Sequence, residues 1–553
     1  MWLFHTSIVR LGTFCRFEDC CFIYQRAAEV IQPLISINTE VLKSMNKQSG
    51  QLRSGVILSY VNLALGSIIP MFYTPILLRL LGSNDHGVYS FANSIVGYLG
   101  LLSFGFGSTI VRYLAKYRAE NDQAALRSTF GFFLLLYSGL AIFAIAGGVV
   151  LTTFSERIFG TALETSELKT VQKLVPILTV HIALNFPFSV FTSVILANER
   201  YFYRRIMDIL ATVITPAFNL VALYLGFGAI GIAVSGIVVD VILAVPNLYY
   251  CFSKLKLTPS FVKIPKRLIR EMLGFSYYVF LGSIVDTLFW STDKVILGML
   301  VGSVAVSVYQ IGGTFNHMVM QFSSSISGVL IPKVTGMVVK DASSEQLSSL
   351  FIRIGRIQYF VVALIASGFA AFGKAFINLW VGAEYIEAYW ITILTLYPLC
   401  IPLIQNTGYQ ILMATNKHRF RAVVMLVVAL LNIVSTWLVV PSMGGIGASL
   451  CSCVSYLLGH GLILNIYYNK SIKINVGVFW KQIAKMSIIP ILMLFITLLI
   501  QRFVCFDSWI SFSVAVGIYT IAYCLGMYRY SMNEYEKSII LVPLNKMRNL
   551  LRR

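Results

Sequence analysis

The chain has 553 residues, of which 57% are hydrophobic and 12% charged, and its formal net charge is +20. Soluble domains carry about a quarter charged residues, so this composition excludes a soluble protein. Apolar runs of about 20 residues recur along the chain, each long enough to cross roughly 30 Å of hydrocarbon as a helix. These runs are too continuously apolar to alternate as barrel strands. The composition therefore predicts an all-α polytopic membrane protein.

Residues 1–50 differ in character from the rest of the chain. Charged residues interrupt their apolar stretches, so no signal-peptide core of sufficient length forms. Three of the nine cysteines, Cys15, Cys20 and Cys21, lie here without partners at zinc-ligand spacing. We interpret 1–50 as an N-terminal extension. Either translation starts at Met45 and most of this segment is not part of the protein, or the segment is a cytoplasmic arm that precedes the membrane region.

Fourteen transmembrane helices are predicted from hydropathy and from breaks at charged, Gly or Pro positions. They lie near 55–80, 88–112, 128–153, 174–198, 206–227, 229–252, 272–301, 304–332, 353–380, 388–414, 421–440, 445–468, 484–504 and 509–530.

An internal duplication relates the first twelve of these helices. Leu80, Gly82, Ser83, Val88 and Tyr89 recur at one constant offset as Leu300, Gly302, Ser303, Val308 and Tyr309. At a slightly smaller offset, Ala197 and Arg204 recur as Ala414 and Arg421, and Ala229-Ile230-Gly231 recurs as Gly445-Ile446-Gly447. Matches in the same order with a slowly drifting offset indicate two copies of one unit.

The duplication predicts the domain organisation. We expect six-helix bundles at 51–252 and 272–468, joined by a basic linker at 253–271. An additional helix pair at 484–530 and a basic tail at 531–553 follow. Two repeats of the same orientation lie about an axis normal to the membrane, and transporters of this kind bind substrate near the midplane between their halves. A central cavity is therefore expected.

The basic residues fall in alternate connections. One set of connections, with both terminal segments, holds 36 of the 43 Lys and Arg residues, and the opposite set holds 5. Because cytoplasmic loops carry an excess of Lys and Arg, both termini are expected to be cytoplasmic. The positive charge therefore indicates contact with anionic membrane lipids, above all at the 253–271 linker, and not a nucleic-acid partner.

Several motifs resemble one known family. They are Arg79-Leu-Leu-Gly82, Asp85-His-Gly87-Val-Tyr89, Gly105-Phe-Gly107, Arg112-Tyr-Leu-Ala-Lys116-Tyr and Trp290-Ser-Thr-Asp293-Lys294-Val-Ile-Leu-Gly298. Together they resemble the polysaccharide transporter (oligosaccharide flippase) family of the multidrug/oligosaccharidyl-lipid/polysaccharide exporter superfamily, over about residues 50–530. The sequence departs from the family pattern at His86, where an aromatic residue is common, and it has no clear acidic cation site in the first six helices.

Basic residues within or beside the membrane helices are candidates for substrate binding, because ionisable groups there are costly. Arg79 is either a snorkelling arginine or a cavity residue, and the resemblance implies the cavity. Lys294 is a second candidate cavity cation. Arg112 and Lys333 lie at equivalent cytoplasmic helix ends, where they are either ordinary positive-inside residues or a gate for phosphate groups.

Acidic residues within the helices are candidates for ion coupling. Asp240 and Asp286 lie deepest and could relay protons. Asp293 either neutralises its neighbour Lys294 or contributes to substrate handling. The isolated histidines His181, His317 and His460 are expected to make hydrogen bonds between helices.

No cofactor, metal or catalytic residue is expected. Cys451 and Cys453 lie in one predicted helix, where they cannot assemble a four-ligand zinc site. The stretch Gly368 to Lys374 is one residue from a phosphate-binding loop, but Ala375 cannot ligate magnesium and no strand precedes it.

Three functions are compared. The resemblance implies a flippase that moves an undecaprenyl-diphosphate-linked oligosaccharide across a bacterial inner membrane, possible partners being other polysaccharide-assembly proteins. The alternative is a cation-coupled multidrug or small-molecule antiporter of the same superfamily, which would require acidic cation sites in the first half. An integral-membrane enzyme is disfavoured, because the longest predicted outer loop, 154–173, is short for a catalytic region.

Overall fold

The computed structural model describes residues 58–159, 163–261, 266–328, 334, 336–338, 342–415, 417–504, 506 and 508–538. Within these ranges every regular element is a helix. The predicted extension at 1–50, the end of the predicted tail and Lys333 lie outside the described residues.

Six helical segments form the first half of the chain. They are α1 (58–81), α2 (83–119), α3 (Gln123–Thr153), α4 (Thr165–Ala197), α5 (Tyr201–Tyr224) and α6 (Gly228–Tyr249, continued by a π-helical turn Tyr250–Lys254). Within α2, a 3₁₀ stretch Tyr98–Ser103 is followed by a break at Phe104 and Gly105, both with positive φ, before the last part, Phe106–Ala119. A short helix, Ser155–Phe159, precedes α4.

The second half contains α7 to α12. They are α7 (Lys266–Leu300), α8 (Ser303–Gly328), α9 (Ser344–Trp380), α10 (Glu387–Ile404 and Asn406–Ala414), α11 (418–443) and α12 (445–471). Gly444, with φ of 54°, separates α11 from α12 within one continuous helical run. Two further helices follow, α13 (Val476–Ile500) and α14 (Trp509–Gly526, continued by Met527–Ser531).

Eleven of the helical runs in the described residues are long and apolar enough to cross a membrane. The run Leu58–Ala119 contains both α1 and α2, the run Arg419–Ser471 contains both α11 and α12, and α8 is not among the eleven. The chain is therefore a multi-pass helical membrane protein, which confirms the predicted fold class. The number of fourteen crossings and the domain boundaries stay predictions.

The duplicated motif marks the same turn in each half. Gly82 ends α1 with φ of 82°, and its counterpart Gly302 separates α7 from α8 with φ of 122°. A side chain on Cβ disfavours this left-handed region, so glycine is the residue that fits both turns. The end of the molecule that contains these two turns is called the Ser303 end, and the opposite end the Arg421 end.

A polar seam joins the halves where α2 runs beside α7. The hydroxyls of Tyr98 and Thr292 lie 2.5 Å apart, and those of Thr109 and Ser276 lie 2.6 Å apart nearer the Arg421 end. Because a buried hydroxyl without a partner is costly, these pairs fix the register of the two helices.

The first turns of α2 and α8 meet at the Ser303 end. His86 Nδ1 and Ser307 Oγ form a buried hydrogen bond of 2.8 Å, and Ser303 Oγ donates to the buried carboxylate of Glu167 at 2.6 Å. Gly87 touches the backbone directly, since an added β-carbon would lie 1.8 Å from the carbonyl oxygen of Ser303. The two halves are thus closed against each other at this end.

A buried ion pair ties the segment after α14 to α9. Arg356 donates from Nε to Glu536 Oε1 at 2.6 Å and from Nη2 to Glu536 Oε2 at 2.8 Å. The same guanidinium donates to the carbonyl of Ser531 and to the side chain of Gln482 on α13. Both members of the pair are more than nine-tenths buried, so the contact fixes α13 and α14 against the second half.

The predicted orientation can be tested by cysteine labelling in a background without the native cysteines. Asp85 and Val301 are exposed at the Ser303 end, and Thr258 and Glu345 are exposed at the Arg421 end. If positive charge sets the orientation, cysteines at Asp85 and Val301 should react with an impermeant thiol reagent added outside intact cells. Cysteines at Thr258 and Glu345 should react only after permeabilisation, and labelling of Thr258→Cys from outside would reverse the assignment.

Candidate functional site

A large cavity lies towards the Arg421 end of the molecule, with a volume of about 760 Å³. Its polar lining comes from several helices and includes Arg112, Asp286, Tyr409, Arg421, Tyr456 and His460. This volume lies within the range of about 300–1,000 Å³ that is usual for ligand sites. Arg112 on α2 brings the first half of the chain to a cavity otherwise built by the second half.

Arg421 is the least satisfied cation of the large cavity. Its guanidinium carbon lies 4.3 Å from the centre of the Tyr409 ring, a cation–π contact. It donates no hydrogen bond to any residue that the structure describes. Asp286 lines the same cavity, but no ion pair joins the two among the described side chains. Arg421 therefore presents its hydrogen-bond donors to the cavity.

A smaller pocket of about 40 Å³ adjoins the large cavity. The two spaces share Phe289 and Tyr456 in their linings, and the centres of these two rings lie 5.0 Å apart. Lys294 lines the small pocket and donates from Nζ to Gln310 Oε1 at 3.0 Å. A predicted cavity cation thus faces a polar pocket, but it is already partnered by a neutral amide.

Asp293 has a different environment from its neighbour Lys294. It accepts hydrogen bonds from the hydroxyls of Tyr309 at 2.6 Å, Ser452 at 2.7 Å and Thr436 at 3.3 Å, and its residue is 1% exposed. Within the described part of the chain, no ion pair joins Asp293 to Lys294. The two side chains are not in direct contact, because successive residues on a helix point in different directions. Mutual neutralisation of Asp293 and Lys294, or a role of Asp293 in substrate handling, stays a prediction.

Asp240 lies away from both spaces, between α4 and α6. Its Oδ2 is 2.8 Å from Nε2 of His181 and also accepts a hydrogen bond from Asn185. His181 therefore makes the expected interhelical contact. Its partner is Asp240, which the sequence analysis had considered separately. The described residues contain no group of three or more His, Cys, Asp and Glu placed to hold a metal ion.

The remaining predicted cations divide into two cases. Arg112 is exposed and lines the large cavity. Arg79 is exposed on α1, lines neither the large cavity nor the small pocket, and makes no hydrogen bond or ion pair with a described residue. Its role in substrate binding stays a prediction.

An apolar groove of about 270 Å³ lies on the other side of α8 from the small pocket. Its lining is largely apolar and includes six aromatic residues, Phe315, Phe369, Phe372, Phe376, Phe512 and Tyr519. These residues lie on α8, α9 and α14. Within α8, Phe315 lines the groove, whereas the next two residues, Asn316 and His317, line the small pocket. One turn of α8 therefore separates an apolar space from a polar one.

The molecule is a helical membrane bundle whose large cavity is lined by helices of the second half and by Arg112 of the first. Solved structures share this fold. The lipid II flippase MurJ in an inward closed conformation matches with a TM-score of 0.68 and 16% identity, over 88% of this chain and 99% of that one. An inward-facing multidrug resistance MATE family transporter matches with a TM-score of 0.59 and 13% identity, over 76% and 99%.

Sequence comparison narrows the class to a family. The family described as polysaccharide biosynthesis protein matches residues 52–338, more than half of the chain. An uncharacterised membrane protein of Methanocaldococcus jannaschii is 22% identical over 73% of this chain and 82% of its own length. A Shigella flexneri protein named "Putative O-antigen transporter" is 20% identical over 71% and 91%. The chain belongs to the polysaccharide biosynthesis protein family, which confirms the resemblance seen in its motifs.

Sequence reasoning missed two parts of this site. Sequence analysis identified Arg421 only as the repeat of Arg204. The difference one turn later, where Asp208 in the first copy is Met425 in the second, would have singled out Arg421 as a cation without a nearby carboxylate. The groove was missed because its aromatic residues are far apart in sequence and look individually like ordinary lipid-facing positions.

Proposed function

We propose that this protein is a flippase that moves a lipid-linked oligosaccharide, such as an undecaprenyl-diphosphate conjugate, from the cytoplasmic to the outer leaflet of a bacterial inner membrane. The observation that carries the proposal is the position of an apolar groove rich in aromatic residues on the other side of α8 from the small polar pocket that contains Lys294, which in turn adjoins the large cavity. A cargo with a polar head and a long hydrocarbon tail needs both environments at once.

The large cavity and the small pocket fit the head of such a cargo. Arg112 and Arg421 line the large cavity and Lys294 lines the adjoining pocket, so cations face the region where a diphosphate would lie. Charge-assisted hydrogen bonds to phosphate oxygens are about twice as strong as neutral ones. Tyr409 and Tyr456 line the large cavity, where their rings contact Arg421, Phe289 and His460.

The groove fits the tail. Phe512 and Tyr519 form one wall and belong to α14, which lies outside the duplicated units. A small polar solute crossing the membrane has no use for an additional apolar wall, whereas a polyprenyl tail can lie along one. Because lipid tails are as apolar as the groove, the groove selects the tail by shape and position and not by removing it from water.

The relatives support the same class of cargo. The Shigella flexneri protein is named as an O-antigen transporter, and the cargo proposed for this chain is a lipid-linked precursor of a surface polysaccharide. The structural likeness to a lipid II flippase and to a multidrug transporter supports the fold equally for both, so it does not by itself choose the cargo.

One observation favours the second candidate, a cation-coupled antiporter. His181 and Asp240 form a direct contact within the first half, where an acidic cation site would be required. Coupling through Asp240, Asp286 or Asp293 stays a prediction, as do the cytoplasmic position of both termini and an association with polysaccharide-assembly proteins. We propose transport without an enzymatic step.

Filling the groove tests the proposal. Val516 on α14 lines the groove, whereas Val514 on the same helix does not and is 57% exposed. In proteoliposomes, Val516→Trp should slow translocation of a lipid-linked oligosaccharide about tenfold, which corresponds to about 1.4 kcal/mol of lost tail contact. The rate is measured by the access of an external glycosidase to the oligosaccharide.

Val514→Trp is the matched control and should translocate normally. Export of a drug-like cation by the same proteoliposomes, at a rate that Val516→Trp leaves unchanged, would instead support the antiporter. Equal translocation of the oligosaccharide by both variants would remove the groove from the mechanism.

A further inference from the structure

The internal duplication allows the two halves to be compared residue by residue at one junction. Ala197 ends α4 and its counterpart Ala414 ends α10. The next helix begins at the fourth position after the alanine in both copies, at Tyr201 and at 418. Arg204 and Arg421 therefore occupy the same place, in the first turn of the following helix.

The two arginines have different partners. Arg204 is paired within its own helix, because its Nη2 lies 2.8 Å from Asp208 Oδ1. Arg205 reaches the same carboxylate at 3.2 Å. The residue one turn after Arg421 is Met425, which is 3% exposed and packs in the core of the second half. The second copy thus retains the cation and replaces its carboxylate with an apolar residue.

Arg421 instead faces the large cavity. Its described contact is the face of the Tyr409 ring, which satisfies none of the guanidinium donors in their plane. A guanidinium has five N–H donors in a planar fork that matches the oxygens of a phosphate group. Arg112, which comes from the first half of the chain, lines the same cavity. Two cations therefore face one space, one from each half.

The described lining of this space contains two arginines and one carboxylate. Asp286 is the carboxylate in the lining, and it is not in ion-pair contact with Arg421 among the described residues. His460 is 7% exposed and lies against the Tyr456 ring. Lys294 lies in the adjoining small pocket, where Gln310 already accepts its hydrogen bond.

We propose that Arg421, together with Arg112, binds the phosphate groups of the cargo, so that the anion site lies in the second half near the Arg421 end. The proposal rests on the proposed function for the identity of the cargo, but the site itself is defined by phosphate chemistry. An arriving diphosphate accepts in-plane, charge-assisted hydrogen bonds from Arg421. Arg204, at the equivalent position, has no such role because its guanidinium is paired with Asp208.

Binding to the purified full-length protein in detergent tests the site. The probes are inorganic pyrophosphate, farnesyl diphosphate and farnesol, measured by isothermal titration calorimetry. Arg421→Ala should weaken binding of both diphosphate probes by about tenfold or more. Binding of farnesol should not change, since farnesol has no phosphate. Arg112→Ala should weaken both diphosphate probes as well.

Arg204→Ala is the matched control, because it removes the same charge from the equivalent position and leaves Asp208 paired with Arg205. If Arg421→Ala and Arg204→Ala bind pyrophosphate with equal affinity, the proposed anion site is wrong. This holds whether both variants bind normally or both lose binding. Arg421→Gln provides a second variant if Arg421→Ala does not fold, and the same tenfold loss is expected for it. If pyrophosphate binds with an affinity that none of these variants changes, the proposed anion site is also wrong.

Failure of this site and failure of the proposed function are distinguishable. If Arg421→Ala loses pyrophosphate binding but the unaltered protein translocates no lipid-linked oligosaccharide, the anion site stands and the flippase assignment falls. If the unaltered protein translocates the oligosaccharide and Arg421→Ala binds pyrophosphate and transports normally, the assignment stands and the anion site falls.

Discussion

Gly87→Ala is expected to reduce transport to below about a tenth of normal, because the added methyl group prevents the two halves from closing at the Ser303 end. The new β-carbon would lie 1.8 Å from the carbonyl oxygen of Ser303 and 2.5 Å from its carbonyl carbon. Backbone atoms cannot move aside as a flexible side chain can, so α2 and α8 must separate. The hydrogen bond between His86 and Ser307 should be lost with them.

Gly97→Ala is the matched control. It lies in the same helix, and no atom beyond its own stretch of helix backbone lies within 4 Å of its added β-carbon. In a helix interior, replacing glycine with alanine otherwise stabilises by about 0.5–1 kcal/mol, so the control should transport at least as well as the parent. Both effects are measured as translocation in proteoliposomes. Normal transport by Gly87→Ala would mean that closure of this contact is not part of the cycle.

The second large effect concerns stability. Arg356→Ala or Glu536→Ala alone should lower the free energy of unfolding by about 3–5 kcal/mol, because each leaves a buried charge without its partner. The bidentate contact at 2.6 and 2.8 Å and the burial of both residues are the reason for this size. Unfolding in detergent, followed by circular dichroism against added denaturant, gives the two values.

A double-mutant cycle separates the pair from other effects. Arg356→Met with Glu536→Leu should recover much of the loss, since hydrophobic residues of similar volume often replace a buried pair without cost. The exposed pair Lys116 and Glu120 is the control, with an expected coupling within about 1 kcal/mol. Additive losses at Arg356 and Glu536 would show that the two charges act independently.

The fold was predictable because a helix that crosses a membrane needs a long apolar run, and such runs are visible in composition. The duplicated motifs also placed real boundaries, since Gly82 and Gly302 both follow the end of a helix with positive φ. The predicted first and last residues of the helices were less accurate. The second helix was predicted at 88–112 and spans 83–119, because its polar ends are continued by backbone hydrogen bonds that hydropathy does not detect.

The site was less predictable, because it is assembled across helices. Lys294 was found as a cation that faces a polar pocket, but its partner Gln310 lies on the next helix. His181 and Asp240 lie on different helices, and nothing in their local sequence reveals that they touch. Arg421 could have been found, because the duplication aligns it with Arg204 while Met425 replaces Asp208.

The contact between Arg356 and Glu536 has a consequence for biosynthesis. The two residues are separated by 180 positions in the chain, and a ribosome adds about 5–20 residues per second. Arg356 therefore waits about 10–40 s for its carboxylate after it has been synthesised. During that interval α9 carries a cation without its carboxylate, near the end of the predicted span, from which an arginine side chain can reach the membrane interface. Completion of the ion pair then marks the moment at which the second half is fully assembled.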